Sequence, residues 1–377
     1  ILANRIIFKA DSQVEKEYRY LSLFSEVVAQ VKTNYVEEVD PAEKFPGAFS
    51  GMLSSLDPFS SYLDIAKTKT YYAYRSGRYC DCGIFGTKTH NYFFITDVIP
   101  NSPAARAGLK YGDIIKAVNG ISLYGQSFWE MYLSLLSAEP QNIQLTLFNK
   151  KNSRETRKVE LQTRLMNMHT TVSPIQHDIL LVKLSHFDDA AVALLKEKLS
   201  TYGTLYKNKP LKLIIDLRTY CSGDLESFRQ ITRLFFKNKI ALTLQQKKGK
   251  EEIFPEIKEK NTLEYKAVVI INSSTRFYGE LLAAIFKNPG TGTASPPPVT
   301  LVGTITQGFI AQSIQVPLPD KSSALVTYGL FYLNGKPTAS QAIKPDIVIK
   351  EEDNDRIIDK CMAIFALDAA PGSPADE

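Results

Sequence analysis

The sequence predicts a multi-domain α+β protein with an N-terminal helical segment, a small β-rich module and a larger α/β core with C-terminal strands. Three observations predict it: apolar residues at helical spacing near the N terminus, short strands separated by turns over residues 77–163, and alternating strands and helices from about residue 175. The 377 residues suffice for two or three domains. A content of 44% hydrophobic and 23% charged residues is ordinary for globular proteins.

Residues 1–75 are predicted to form the helical segment. Its main helix carries one apolar stripe at three- and four-residue steps: Tyr20, Phe24, Val27, Val28 and Val31. A second helix is predicted over residues 46–56, opening around Phe45-Pro46 and stopped by Asp57-Pro58.

Residues 76–165 are predicted to form the β-rich module. Asn101-Ser102-Pro103 and Asn119-Gly120 are turn signals between short β-rich runs, and residues 127–136 have a helical pattern. The predicted strands cover residues 92–98, 113–118, 143–148 and 156–161.

Residues 166–368 are predicted to form the α/β core. The predicted strands cover residues 179–184, 211–217 and 267–272, and the predicted helices cover 188–205, 225–236 and 279–287. The Gly/Thr/Pro-rich segment 290–298 is expected to be a surface loop, and residues 369–377 a disordered tail.

Charge, cysteine and histidine content exclude several functional classes. Lys and Arg number 45 against 40 Asp and Glu, a net charge of +5 without the concentrated basic face that nucleic acid requires. The four cysteines include one Cys-x-Cys pair, too few ligands for zinc, and the four histidines are scattered. We therefore expect no metal, no cofactor and no nucleic-acid partner. No apolar run approaches the ~20 residues of a membrane span. Because the chain begins with Ile1, we expect that a signal peptide or a membrane anchor has been removed.

Three blocks in order resemble one protein family. The first covers residues 34–58 and contains the sequences NYVEEVD and GAFSGMLSSLDP; the second, residues 99–120, looks like the signature of bacterial PDZ domains. The third joins residues 213–218 (LIIDLR), Gly223 and residues 342–347 (AIKPDI). Together they resemble the carboxyl-terminal processing, or tail-specific, serine peptidases over about residues 14–350. The resemblance implies a PDZ-like domain and a peptidase core of the ClpP/crotonase-like type.

The resemblance also implies where catalytic residues belong. The family uses a serine nucleophile activated by a lysine, and a glutamine orients that lysine. At the matching positions this chain has Gly279 for the serine, Phe309 for the lysine and Ser313 for the glutamine, with Gln312 one place away. Of the family's Pro-Gly-Gly oxyanion loop, one glycine remains as Gly223. The sequence therefore predicts a pseudopeptidase, in which no catalytic residue is intact.

Two alternatives stay open. One is an active serine endopeptidase with a relocated catalytic set, drawn from Ser273, Ser274 or Thr275 with Lys266 or Lys287; Cys221 is a weaker substitute nucleophile because no His or Lys motif adjoins it. The other is a purely structural envelope subunit. The three interpretations differ in what they predict for an unstructured peptide with a free C terminus: binding without cleavage, cleavage, or neither.

The PDZ-like module retains more of its pattern. In this family a Gly-rich loop holds the terminal carboxylate of a peptide. Here the loop is predicted to bind a peptide through Tyr79, Asp81, Cys82, Gly83 and Ile84, with Asp81 in place of the first glycine. Asp81 would repel the carboxylate if its side chain faced it. The expected partners are protein C-termini or an active peptidase relative, together with a second copy in a homodimer. The expected location is extracytoplasmic, in a bacterial periplasm or on a membrane.

Overall fold

The computed structural model describes residues 2–148, 155–165, 169–176, 178–206, 209–236, 239–254, 264–289, 298–349 and 356–367. The tail predicted at 369–377 lies outside these residues, as does the loop predicted at 290–298 except for Pro298. Within the described residues, no helix is long and apolar enough to cross a membrane.

The N-terminal segment is helical with one short strand. Its elements are α1 (Leu2–Asn34), α2 (Pro41–Ser54), β1 (Ser61–Leu63) and α3 (Ile65–Arg75). The predicted start of the second helix was wrong, because α2 begins at Pro41 and runs through Pro46. Proline fits the first helical position, where its missing N–H would have no partner, so Pro41 is the stronger start signal. β1 pairs with a strand of the core, and this pairing joins the segment to the rest of the chain.

The second unit is an antiparallel β structure, as predicted, with two short helices; the helix predicted over residues 127–136 is shorter in the structure, where it covers Phe128–Leu133. Its elements are β2 (Cys80–Asp81), β3 (Ile84–Thr89), β4 (Tyr92–Val98), α4 (Pro103–Arg106), β5 (Ile114–Val118), β6 (Ile121–Ser122), α5 (Phe128–Leu133), β7 (Leu136–Ser137), β8 (Asn142–Phe148), β9 (Thr156–Gln162) and β10 (Arg164–Leu165). The main sheet has the order β3-β4-β5-β8-β9, which leaves β3 at its edge beside α5. A capping box between Ser127 and Glu130 starts α5.

The core begins with strands and helices in alternation. Its first elements are β11 (Thr171–Gln176), β12 (Ile179–Lys183), β13 (His186–Phe187), α6 (Asp189–Leu205), β14 (Leu211–Asp216), β15 (Tyr220–Gly223), α7 (Leu225–Phe235), β16 (Ile240–Gln246), β17 (Gly249–Phe254), β18 (Tyr265–Ile271) and α8 (Phe277–Lys287). The remaining elements are β19 (Val299–Gly303), β20 (Gln312–Pro317), β21 (Ser323–Leu333), β22 (Lys336–Pro337), β23 (Ile347–Val348) and α9 (Ile357–Leu367).

A parallel sheet organises the core. Strands β12, β14, β18, β19 and β23 are parallel neighbours in that order, and β11 adds antiparallel to β12. The buried part of β18, residues 267–271, is a continuous apolar run, which is typical of a parallel sheet covered on both faces. A second sheet contains β16, β17, β20, β21 and β22 together with β1. The segments that follow β14, β18 and β19 all contact the β-rich unit: Tyr220 and Arg276 bond to Gly86, and the Phe309 ring packs on Phe128.

Candidate active site

The turn between β18 and α8, residues 272–276 (the elbow), leads to the position where a nucleophile is expected. α8 begins at Phe277, so Gly279 lies in its first turn, among the N–H groups that have no partner within the helix. A Cβ atom added to Gly279 would lie 2.5 Å from Cys221 Sγ and 2.9 Å from Cys221 Cβ. The space that a serine side chain would need is therefore filled by Cys221, a residue of β15 on the neighbouring loop.

Cys221 does not supply a nucleophile in exchange. Its side chain is fully buried, and Sγ lies 3.1 Å from the Leu184 carbonyl oxygen and 3.2 Å from Thr219 Oγ1. Burial raises the pKa of the Cys221 thiol to about 12, so the thiol is neutral at physiological pH. A reactive cysteine needs the opposite, a thiolate stabilised at neutral pH.

The position expected for the base is an aromatic ring in a cluster of other rings. The Phe309 ring lies 4.6 Å from Phe59 and 4.8 Å from Phe128, centroid to centroid. Phe59 and Phe309 therefore pack edge to face against each other. The Phe309 loop is held by Glu280, whose carboxylate accepts the N–H groups of Gly308 at 2.6 Å and Phe309 at 2.7 Å. Burial raises the pKa of Glu280.

The position expected for the glutamine carries a β-bulge. The pairing of β20 with β21 shifts between Gln312 and Ser313, so the two side chains no longer follow simple alternation. Both residues line the same cavity, and Gln312 Oε1 accepts the hydroxyl of Tyr278 at 2.8 Å. Gln312 is therefore fixed beside the elbow by Tyr278, with Phe309 where the lysine would stand.

The remaining loop glycine is sterically required. Gly223 has φ +146°, and a Cβ there would overlap the Phe187 carbonyl oxygen. Its neighbour Ser222 replaces the other glycine, and Ser222 Oγ lies 3.0 Å from His186 Nδ1. Burial lowers the pKa of His186, which keeps the imidazole neutral at pH 7. Sequence reasoning missed this serine–histidine contact; the pairing of β13 with β15 makes it.

The structure does not assemble the relocated set considered above. Ser273, Ser274 and Thr275 are buried in the turn after β18, and the Thr275 hydroxyl accepts the Asn272 N–H at 3.0 Å. Lys266 lies seven residues earlier on the strand, about 23 Å away at 3.3 Å per residue. Lys287 ends α8, about 12 Å beyond Gly279 along the axis, and its ammonium pairs with Asp346 at 3.0 Å.

Two adjoining cavities meet at this aromatic cluster. The first has a volume of about 50 Å³ and is lined by Ser222, Gly223 and Gln312 together with aromatic rings. The second, of about 640 Å³, lies between the end of α2, the β3–β4 hairpin and the Gly308 loop. Phe59 and Phe309 line both, so this ring pair separates the larger cavity from the elbow.

The five residues predicted to bind a peptide lie together from the residue before β2 to the first residue of β3, and all are buried. The Asp81 carboxylate accepts the Gly83 N–H at 2.9 Å. Burial raises the pKa of Asp81 to about 6, against hydrogen bonds from the backbone of Gly83, Cys82 and Ile84 that lower it. Gly83 has φ +84°, and a Cβ there would overlap Ser102, so only glycine fits.

A parallel α/β core with a strand–elbow–helix site, joined to a PDZ-type module and an N-terminal helical segment, defines a serine peptidase fold. The sequence matches the Peptidase S41 family over residues 178–349, a PDZ domain over 94–146 and the "Activating protease CtpB N-terminal domain" over 3–68. The chain belongs to the carboxyl-terminal processing peptidase family with a PDZ domain, as the sequence motifs predicted.

Two curated relatives and one solved structure illustrate the similarity. The carboxy-terminal-processing protease of Bartonella bacilliformis is 26% identical over 342 residues, 89% of this chain and 76% of that protein. The carboxy-terminal processing protease CtpB of Bacillus subtilis is 25% identical over 354 residues, 92% of this chain and 69% of that protein. The photosystem II D1 C-terminal processing protease has the same fold, with a TM-score of 0.64 at 18% identity over 86% of each chain.

Proposed function

We propose that this chain is a non-catalytic member of its family, a pseudopeptidase that acts as a scaffold or regulator of a partner. The observation that carries the proposal is the filled nucleophile position: Cys221 Sγ stands 2.5 Å from where the Gly279 Cβ would be. Replacing a serine by glycine would by itself leave an empty space, but here the Cys221 side chain of the neighbouring loop occupies that space. Phe309, which stands in the place of the base, carries no group that can accept a proton.

The test compares the chain alone with the chain added to an active carboxyl-terminal processing peptidase. A reporter peptide with a free apolar C terminus is followed by mass spectrometry. We expect no cleavage by this chain and a concentration-dependent change in the rate of the active peptidase. Cleavage by this chain alone would overturn the proposal, whereas no cleavage and no effect on the peptidase would favour a structural subunit.

A second candidate function rests on Ser222 and His186. Their 3.0 Å contact at the cavity could activate a hydroxyl: the Ser222 proton would pass to His186, Oγ would form an ester with a peptide carbonyl, and the leaving amine would take the proton. Water would then hydrolyse the ester. A fluorophosphonate probe tests this candidate, since labelling of Ser222 that disappears in Ser222→Ala but persists in Ser274→Ala would support it. Labelling that is absent, or unchanged by Ser222→Ala, would eliminate it.

The apolar stripe of α1 supports a homodimer. Tyr20 is 71% exposed and Val27 is 53% exposed, and the same face carries Phe24 and Val31. Large apolar side chains gathered on one exposed helix face mark an interaction surface, and a second copy of α1 offers the matching face. Family membership favours a location outside the cytoplasm, in a periplasm or on a membrane, and protein C-termini remain the proposed peptide ligands.

A further inference from the structure

The PDZ-like domain presents a groove between β3 and α5. β3 is the edge strand of its sheet and pairs, among the described strands, with β4 alone, so the backbone groups on its other side have no strand partner. A peptide binds such a domain by adding as a strand to this edge, while loop N–H groups before the strand receive its terminal carboxylate. The groups a ligand would use are therefore the loop amides at residues 82–84 and the free edge of β3.

A side-chain carboxylate already occupies the loop. Asp81 is 2% exposed, and its Oδ1 accepts the Gly83 N–H at 2.9 Å, with hydrogen bonding from the backbone of Cys82 and Ile84 as well. A carboxylate on these amides is what a peptide's C terminus would provide. A peptide would have to displace a carboxylate that is tethered to the loop and therefore present at high effective concentration.

A residue of the core occupies the strand edge. The Gly86 N–H donates to the Tyr220 hydroxyl at 2.6 Å, and the same hydroxyl donates to the Gly86 carbonyl oxygen. The Tyr220 ring lies 4.9 Å from Phe85 on β3 and 4.8 Å from Tyr132 on α5, between the two walls of the groove. Arg276, from the elbow, adds a third contact, because its Nη2 donates to the Gly86 carbonyl at 3.0 Å.

We propose that the peptide groove of this PDZ-like domain is closed by the chain itself: Asp81 takes the place of a ligand's terminal carboxylate, and Tyr220 of the core takes the place of a ligand's backbone on β3. Free C-terminal peptides then bind only after the groove opens, when Tyr220 withdraws from Gly86 and Asp81 leaves the loop amides. The inference holds whether or not the core is catalytic.

The contact between the groove and the core is stabilised by Arg276 and also weakened by it. Arg276 is fully buried and its guanidinium lies 4.6 Å from the Phe128 ring and 5.0 Å from the Tyr220 ring, which supplies cation–π attraction. Its Nε and Nη1 atoms have no hydrogen-bond partner among the described residues. Leaving buried donors unpaired weakens the closed state, so loss of one further hydrogen bond will shift the groove toward opening.

The experiment measures peptide binding by fluorescence anisotropy on the full chain. The probe is a fluorescein-labelled peptide with an apolar free C terminus, and its C-terminal amide serves as the reference. We expect Asp81→Gly with Tyr220→Phe to bind the free-carboxylate peptide at least about tenfold more tightly than the wild type, the change that one lost competing hydrogen bond produces. The matched controls are Asp320→Gly, which removes a similar bond to Ser322 N–H, and Tyr265→Phe, which removes a hydroxyl bonded to the Phe235 carbonyl; both should bind like the wild type.

Hydrogen–deuterium exchange of the ligand-free wild type provides a measurement that needs no variant. The N–H groups of Gly83 and Gly86 should be protected, because both are bonded within the chain, and the Gly86 N–H should exchange faster in Tyr220→Phe. Rapid exchange of both amides in the wild type would overturn the proposal. Wild-type affinity equal to that of the double variant, or binding that ignores the free carboxylate in the variant, would also overturn it.

Discussion

Substitution of Gly279 by alanine isolates the contact on which the loss of the nucleophile depends. Alanine is more favourable than glycine inside a helix by about 0.8–1 kcal/mol, so the change alone would stabilise α8. The new methyl would overlap Cys221 Sγ at 2.5 Å and Cys221 Cβ at 2.9 Å. Overpacking of a buried site costs about 1–3 kcal/mol. The cost of the overlap equals or exceeds the gain in helix preference, so we expect Gly279→Ala to lower the free energy of unfolding by up to about 2 kcal/mol.

A double-mutant cycle separates the overlap from other effects. In a Cys221→Gly background both overlapping atoms are gone, so Gly279→Ala should become neutral or stabilising by up to about 1 kcal/mol. The expected coupling between the two positions is about 1–3 kcal/mol. The matched control is Gly51→Ala in α2, where an added Cβ meets nothing within 4 Å and only the helix preference acts.

The assay is urea unfolding followed by circular dichroism for the four members of the cycle and the Gly51 control. Our reasoning fails if Gly279→Ala stabilises the wild type as much as Gly51→Ala does. It also fails if the effect of Gly279→Ala is the same with and without the Cys221 side chain.

Three further predictions concern Asp81 in the PDZ-like domain, Glu280 beside the Phe309 loop, and helix α1. Asp81 has a folded-state pKa of about 6 against an ordinary 3.8, so stability is lost as pH rises from about 4 to 6; Asp81→Asn should remove this loss, worth up to about 3 kcal/mol at pH 7, in thermal denaturation at pH 4 and pH 7. Glu280→Gln keeps one acceptor and turns an amide donor toward a backbone N–H, so it should destabilise the chain by about 1–3 kcal/mol in urea, and an unchanged midpoint would refute the role of Glu280. If the proposed homodimer forms, Val27→Lys should shift it toward monomer in sedimentation, because the residue lies on the exposed apolar face, whereas a wild-type monomer at all concentrations would refute the dimer.

Regular patterns in the sequence predicted most of the architecture. Strand β4 follows from a short β-rich run and helix α6 from helical periodicity, because these signals are local. The apolar stripe near the N terminus also predicted a helix correctly. Periodicity does not show what packs against an apolar face, and in the structure the apolar face of α1 is exposed. The start of α2 was misplaced because Pro46 is also a local start signal, although the helix begins at Pro41 and continues through Pro46.

In the candidate site, too, some features could be predicted from the sequence and others depend on non-local contacts. Its positions follow from motif spacing, which placed Gly279, Phe309 and Gly223 at the elbow and its neighbouring loops. Spacing could not show that Cys221 fills the serine's place, because that contact joins residues 58 apart in the chain through the bridge between β15 and the start of α8. The bulge at Gln312 is equally non-local, since it depends on pairing with β21. The sequence could not predict the occupied groove for the same reason: Tyr220 and Gly86 are in contact only because the core packs on the PDZ-like domain.

The most direct test of the central claim, that the chain does not hydrolyse peptides, uses water labelled with oxygen-18. The purified chain is incubated with a mixture of unstructured peptides, and mass spectrometry searches for new C termini that carry the label. Our account predicts none above the level of a buffer control. Labelled termini that persist after repurification of the protein and vanish in the Ser222→Ala variant would contradict it, and would show that the family's chemistry has moved to a new serine.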